Sequence, residues 1–191
     1  MRSIATRLTF LLAFAVTPAC AAAAPQVQTP PTAPTPRPPY RIGAVTVVNG
    51  GVSLGGTLTV PEGPGPFPAV VLVSRDAGLN RDIADQLTRK GVVVFRYDDA
   101  GQGDILAAVA HLKAMTTIDS RRIGVLGHAQ GATAAMTAAA SSDVAFIVTL
   151  GSPVVSGGPG KVSIPVFANP GVPDARLLND VAVWIFTTPR R

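Results

Sequence analysis

The sequence predicts an α/β domain: a mostly parallel sheet, opened by an antiparallel hairpin, with helices on both faces. Three observations lead there. Continuously apolar runs such as PAVVLVS (68–74), VVVFRYD (92–98) and RIGVLGH (122–128) suit strands covered on both sides. Segments whose apolar residues recur every three or four positions lie between them, and strands alternating with helices form parallel sheets. Near the start, two β-rich runs flank the turn signal NGG at 49–51.

Taken in order, IGAVTVV (42–48) and VSLGGTLTVP (52–61) form the hairpin, and PAVVLVS is the first buried strand. The polar loop RDAGLN (75–80) leads to a helix, RDIADQLTRKG (81–91), with Ile83, Leu87 and the stem of Lys90 at helical spacing and Gly91 as its stop. After the strand VVVFRYD, the segment DILAAVAHLKAM (104–115) puts Ile105, Ala108, Val109 and Leu112 on one helical face. RIGVLGH is again a strand, and ATAAMTAAA (132–140) a small-residue helix. VAFIVTLGS (144–152) and IPVFANP (164–170) read as strands, DARLLND (174–180) as a short helix and VAVWIF (181–186) as a last strand.

The 191 residues suit one domain, 47% of them apolar and 14% charged, which is too apolar for a disordered chain. The domain is expected to run from Tyr40 to Arg191. Ahead of it, residues 1–23 have the plan of a secretory signal. MRSIATR carries two arginines and no acid, LTFLLAFAV is an apolar run too short to span a bilayer, and small residues follow. Cleavage near Ala23 would remove Cys20, the sole cysteine, and with it any disulfide or thiolate chemistry. The alternatives are an uncleaved anchor and a lipidated Cys20, although TPA is a poor match to the residues that precede a lipidated cysteine. Residues 24–39 hold the proline-rich stretch QVQTPPTAPTPRPP, read as an extended linker. A secreted or periplasmic location follows, with no membrane span in the mature chain.

The formal charge of +5 drops by two, to +3, when Arg2 and Arg7 leave with the signal. The remaining basic residues are scattered and not interleaved with aromatics, so a nucleic-acid partner has no support. No cluster of Cys, His and carboxylates has metal-ligand spacing, so no metal site is expected.

The segment GHAQG, Gly127 to Gly131, joins a strand to a helix in the frame G-x-S-x-G. Together with LGGTLTVPEGPGPFPAVVLVS, NRDIADQLTRKGVVVFRYDDAGQG, ILAAVAHLKAMTTIDSRRIGVLGHAQG and DVAFIVTLGSP, in that order over roughly residues 54–153, it resembles the α/β-hydrolase family. The likeness is to the exported esterases, the peptidase-like members and the dienelactone-hydrolase branch. The resemblance implies carboxylic-ester or related acyl hydrolysis and calls for no cofactor. It puts the nucleophile at position 129, on a sharp turn built by Gly127, His128 and Gly131. It also implies an oxyanion hole from the backbone of Gln130 and of Ser74 or Arg75, and an acid near Asp174.

The chain departs from that pattern in four ways. Ala129 stands where the serine would, and a methyl group cannot attack a carbonyl. No histidine follows His128 to act as the base. Only VVSGGPGKVS (154–163) remains where a helical cap would lie, and the loop after RYDDAGQG is cut short.

The expectation is therefore a non-catalytic homologue that keeps a cleft and binds a small acyl, ester or peptide ligand. One alternative is an active hydrolase with a relocated nucleophile, for which Ser74 is a candidate without a visible base. Another is a degenerate remnant without a selected role. His128 reads as an elbow support pointing away from the tip, and His111 as a solvated side chain. Asp98 and Asp99 could form a carboxylate pair for acid–base work, but the resemblance implies a strand-end feature that holds loops, and the GQG of 101–103 reads as a plain turn. Arg75 and Asp76 either bind a polar ligand or pair with each other. The sequence leaves the ligand and the oligomeric state open.

Overall fold

The computed structural model describes residues 38–97, 104–141, 143–152 and 164–189. The expected signal, nearly all of the linker, the Asp98–Asp99 pair, the GQG turn and the VVSGGPGKVS stretch lie outside these residues.

Strands β1 (Tyr40–Asn49) and β2 (Val52–Pro61) form the expected antiparallel hairpin, in register from Tyr40 opposite Pro61 to Asn49 opposite Val52. Its two-residue turn needs positive φ at both central positions, met by Gly50 at 54° and Gly51 at 84°. β2 pairs antiparallel with β4 (Val93–Tyr97). From β4 onward the sheet is parallel: β4 pairs with β3 (Phe67–Val73), β3 with β5 (Ile118–His128), β5 with β6 (Phe146–Leu150) and β6 with β7 (Val166–Asn169). The sheet order is β1-β2-β4-β3-β5-β6-β7.

Alternate strand residues feed two cores. Ala69, Val71, Val93, Phe95, Ile123, Val125 and Ile147 pack under α2 (Ile105–Lys113) and α3 (Gly131–Ser141). Val70, Leu72, Val94, Leu126, Phe146 and Val148 pack under α1 (Ala77–Arg89) and α4 (Ala175–Thr187). This two-sided covering is why the central strands read as unbroken apolar runs. On the α1 side, Tyr40 ties β1 down by donating its hydroxyl to Asp85, 2.6 Å away. Burial and that carboxylate together push the Tyr40 phenol up to about 12.

Two expectations are corrected. VAVWIF is not a strand; it completes α4, continuous with DARLLND. Leu178, Val181, Ala182 and Ile185 are buried at helical spacing, whereas Val183, which a strand would bury beside Val181 and Ile185, is 56% exposed. A helix starts there because the Asp174 carboxylate accepts from the Leu177 N–H. Trp184 anchors it with its ring edge-on to Phe146, centroids 5.8 Å apart. The second correction concerns α1, which begins at Ala77 rather than Arg81. Asp76 caps it by accepting from the Leu79 N–H, so most of the expected loop is helix.

Candidate functional site

The carboxyl ends of β3 and β5 lie side by side, with Val73 opposite Gly127. This register sets the site. β5 ends at His128, the chain reverses over Ala129 and Gln130, and α3 begins at Gly131. The reversal is possible only because two side chains are missing. A Cβ on Gly127 would lie 2.4 Å from the Gly131 carbonyl oxygen, and one on Gly131 would lie 2.0 Å from the Val73 carbonyl oxygen.

Ala129 stands exposed at the tip with φ at +50°, and it is the sole non-glycine residue with positive φ among the described residues. That conformation costs an L-residue roughly 1–2 kcal/mol. Its surroundings enforce it. The Ala129 N–H donates to the Leu150 carbonyl on β6 at 2.9 Å, and its carbonyl accepts from the Ala132 N–H at 3.1 Å. Strained backbone of this kind concentrates at functional sites.

Ser74, Arg75, Asp76, His128, Ala129 and Gln130 line an open cleft of about 380 Å³ at this end of the sheet. A smaller recess of about 100 Å³ adjoins it, sharing Ser74, Arg75 and Gln130 and walled by Val73, Gly131 and Ala134. The fold thus brings together the residues of the implied elbow and oxyanion hole. Among the described residues, the backbone N–H groups of Arg75 and Gln130 donate to no protein acceptor. Asp174 is not with them: it caps α4 and is absent from the cleft wall.

His128 does not stand idle behind the turn. Its Nδ1 lies 3.5 Å from Ser74 Oγ, a long contact at the limit of a hydrogen bond, and its Nε2 faces Gly151, where an added Cβ would lie 2.7 Å away. The ring therefore bridges the ends of β3 and β6 across β5. Ser74 is 4% exposed, and its Oγ already accepts from the Asp76 N–H. Sequence reasoning left Ser74 without a neighbouring base. The signal was present, because parallel in-register strands put the residues after Val73 and Gly127 side by side. His111, by contrast, sits half-exposed in the last turn of α2, away from the cleft.

Arg75 and Asp76 do not pair. Asp76 spends its Oδ1 on the α1 cap, and among the described residues Arg75 has no ion-pair partner. No group of three His, Cys, Asp or Glu residues capable of holding a metal occurs among the described residues. Nor is any helix there long and apolar enough to cross a membrane.

A mostly parallel seven-stranded sheet with this strand-to-helix turn is an α/β-hydrolase fold, and the comparisons agree. A dienelactone hydrolase from Anabaena variabilis superimposes with a TM-score of 0.57 at 21% identity, over 77% of this chain and 82% of its own. An esterase from Pyrobaculum calidifontis gives 0.52 at 19% identity, over 64% of this chain and 47% of its own. In sequence, the chain is 38% identical to Esterase EstD of Thermotoga maritima over 112 residues, which take in 44% of this chain. The chain spans about a quarter of that relative, 26% of its length. No family model matches. The chain thus has an α/β-hydrolase fold, similar in architecture to a dienelactone hydrolase and, over part of its sequence, to an esterase.

Proposed function

We propose that this chain is an exported, non-catalytic relative of the ester hydrolases that uses the cleft at its elbow to bind a small acyl ligand. The observation that carries this reading is Ala129 at the exposed tip of the strand–turn–helix, in the strained conformation an elbow nucleophile would need. Acyl transfer requires nucleophile, base and oxyanion donors together, and here the donors stand without a nucleophile. The N–H groups of Gln130 and Arg75, which have no acceptor among the described residues, support retention of the binding half of the chemistry.

Restoring the serine tests this. Ala129→Ser is expected to hydrolyse an activated short-chain ester no faster than the wild type. A serine hydroxyl needs an adjacent base. Of the two histidines only His128 lines the cleft, with one nitrogen facing Ser74 and the other turned to Gly151. Loss of the serine or the histidine alone costs about a million-fold in turnover in a known protease, nearly as much as loss of the whole triad. Turnover well above wild type would mean that a base reaches position 129, and the reading would fall.

The contact between Ser74 and His128 favours one rival, a hydrolase that attacks through Ser74. The burial of Ser74 and the bond its Oγ already accepts weigh against it. Export rests on residues 1–23 alone. It calls for a mature N-terminus between Ala21 and Pro25, and N-terminal sequencing that finds Met1 would remove it.

A further inference from the structure

We infer that the ligand of this cleft is a short-chain carboxylate, the acid an ester hydrolase releases rather than the ester it consumes, and that the Arg75 guanidinium binds it. The inference rests on the non-catalytic reading above and names the ligand class it left open. Four observations carry it.

The first is charge. Arg75 lines both the cleft and its recess, is exposed, and has no ion-pair partner among the described residues. The one carboxylate in the same wall, Asp76, is turned to the first turn of α1, where it accepts from the Leu79 N–H at 2.9 Å. Helix N-termini favour a negative group, so its charge is already met there. Among the described residues, no carboxylate forms an ion pair with the Arg75 cation of the cleft.

The second is donors. The backbone N–H groups of Arg75 and Gln130 border the same space and, among the described residues, have no protein acceptor. Hydrogen bonds to an ionised acceptor are roughly twice as strong as those to a neutral one. A guanidinium and two N–H groups without partners among the described residues therefore favour a carboxylate over an ester carbonyl.

The third is the tip. Ala129 presents a methyl group where a serine would present an oxygen. A methyl group forms no covalent acyl intermediate and fills little of the space beside the Gln130 N–H, so a ligand can rest there unreacted.

The fourth is the apolar side. The recess adds Val73 and Ala134 to the wall it shares with the cleft, and at about 100 Å³ it suits a few methylenes rather than a long chain. Ser74 and His128 complete the wall, with Ser74 Oγ 3.5 Å from His128 Nδ1.

Calorimetric titration of the full chain with butyrate and, separately, methyl butyrate at low ionic strength tests this. Butyrate is expected to bind more tightly than the ester, and more weakly as salt is added, because the site is open to solvent. Arg75→Gln should weaken butyrate about tenfold, as expected for loss of a charge-assisted contact, and leave the ester unchanged. Arg75→Lys, which keeps the charge, should recover part of the loss. Arg75 is exposed and bonds to nothing described, so both variants should melt like the wild type. Equal butyrate binding by wild type and Arg75→Gln would overturn the inference. An ester bound more tightly than butyrate would overturn it too, while leaving the acyl-binding reading intact. Failure of both ligands to bind would overturn the two together. Consumption of methyl butyrate would overturn the non-catalytic reading and, with it, the inference.

Discussion

Gly131→Ala is expected to destabilise the domain by at least about 3 kcal/mol, the upper end of the usual cost of overpacking. The cause is local and rigid. The new methyl carbon would stand 2.0 Å from the Val73 carbonyl oxygen and 2.7 Å from its carbon. Both are backbone atoms of β3, itself fixed between β4 and β5. No rotamer change relieves the clash, so either α3 must lift off β5 or the end of β3 must move, and both deform the cleft wall. For a domain of this size the loss corresponds to a melting temperature lower by roughly 6–12 °C. Gly43→Ala is the control. It lies in β1 with nothing within 4 Å of the added carbon, and should change stability by less than about 0.5 kcal/mol. Thermal melts of both variants beside the wild type measure this. A Gly131→Ala protein that melts with the wild type would show that the elbow does not close on β3 as described.

Val125→Asp should cost several kcal/mol and prevent folding near neutral pH. Val125 is fully buried in the middle of β5, paired with Val71 on one side and Ile147 on the other. The buried residues packed in its cluster are aliphatic or aromatic and include no cation to pair with the carboxylate. Burial would raise the folded-state pKa of the new carboxyl above its unfolded value of about 3.9. The sign of the pH effect follows. The unfolded state ionises first as pH rises, so the deficit grows through the folded pKa and is smallest below the unfolded one. Val125→Asn, which carries no charge, should show a deficit independent of pH. Denaturant titrations of the three proteins between pH 4 and pH 8 would expose a wrong strand assignment as a Val125→Asp variant of unchanged midpoint.

Much of this architecture is legible in the sequence, for a physical reason. Strands covered on both faces cannot hide polar residues, so PAVVLVS, VVVFRYD and RIGVLGH announce themselves, and Val70, Val71, Leu72, Val92, Val93, Val94, Ile123, Val125 and Leu126 within them are all at most 3% exposed. The hairpin is legible because a two-residue turn with positive φ at both centres calls for glycines. The elbow is legible because Gly127 and Gly131 mark a place where backbones nearly touch.

Misreadings arose where a short window was ambiguous. VAVWIF is six apolar residues, equally suited to a buried strand or a helix. The helical period emerges only when it is joined to DARLLND, and tertiary burial of Leu178, Val181, Ala182 and Ile185 overrides the β preference of its valines. The early start of α1 turned on one residue, Asp76, whose capping role was hidden by the polar loop around it. The Ser74–His128 contact spans 54 positions, and only strand register brings it about.

The central claim is that this elbow keeps its shape without its chemistry. Labelling of the purified wild-type protein with a fluorophosphonate, read by intact mass beside an active esterase under the same conditions, tests it most directly. The account predicts full labelling of the esterase and an unshifted mass for this chain. A stoichiometric adduct, lost in Ser74→Ala, would show that the nucleophile has moved to the end of β3, and would contradict it.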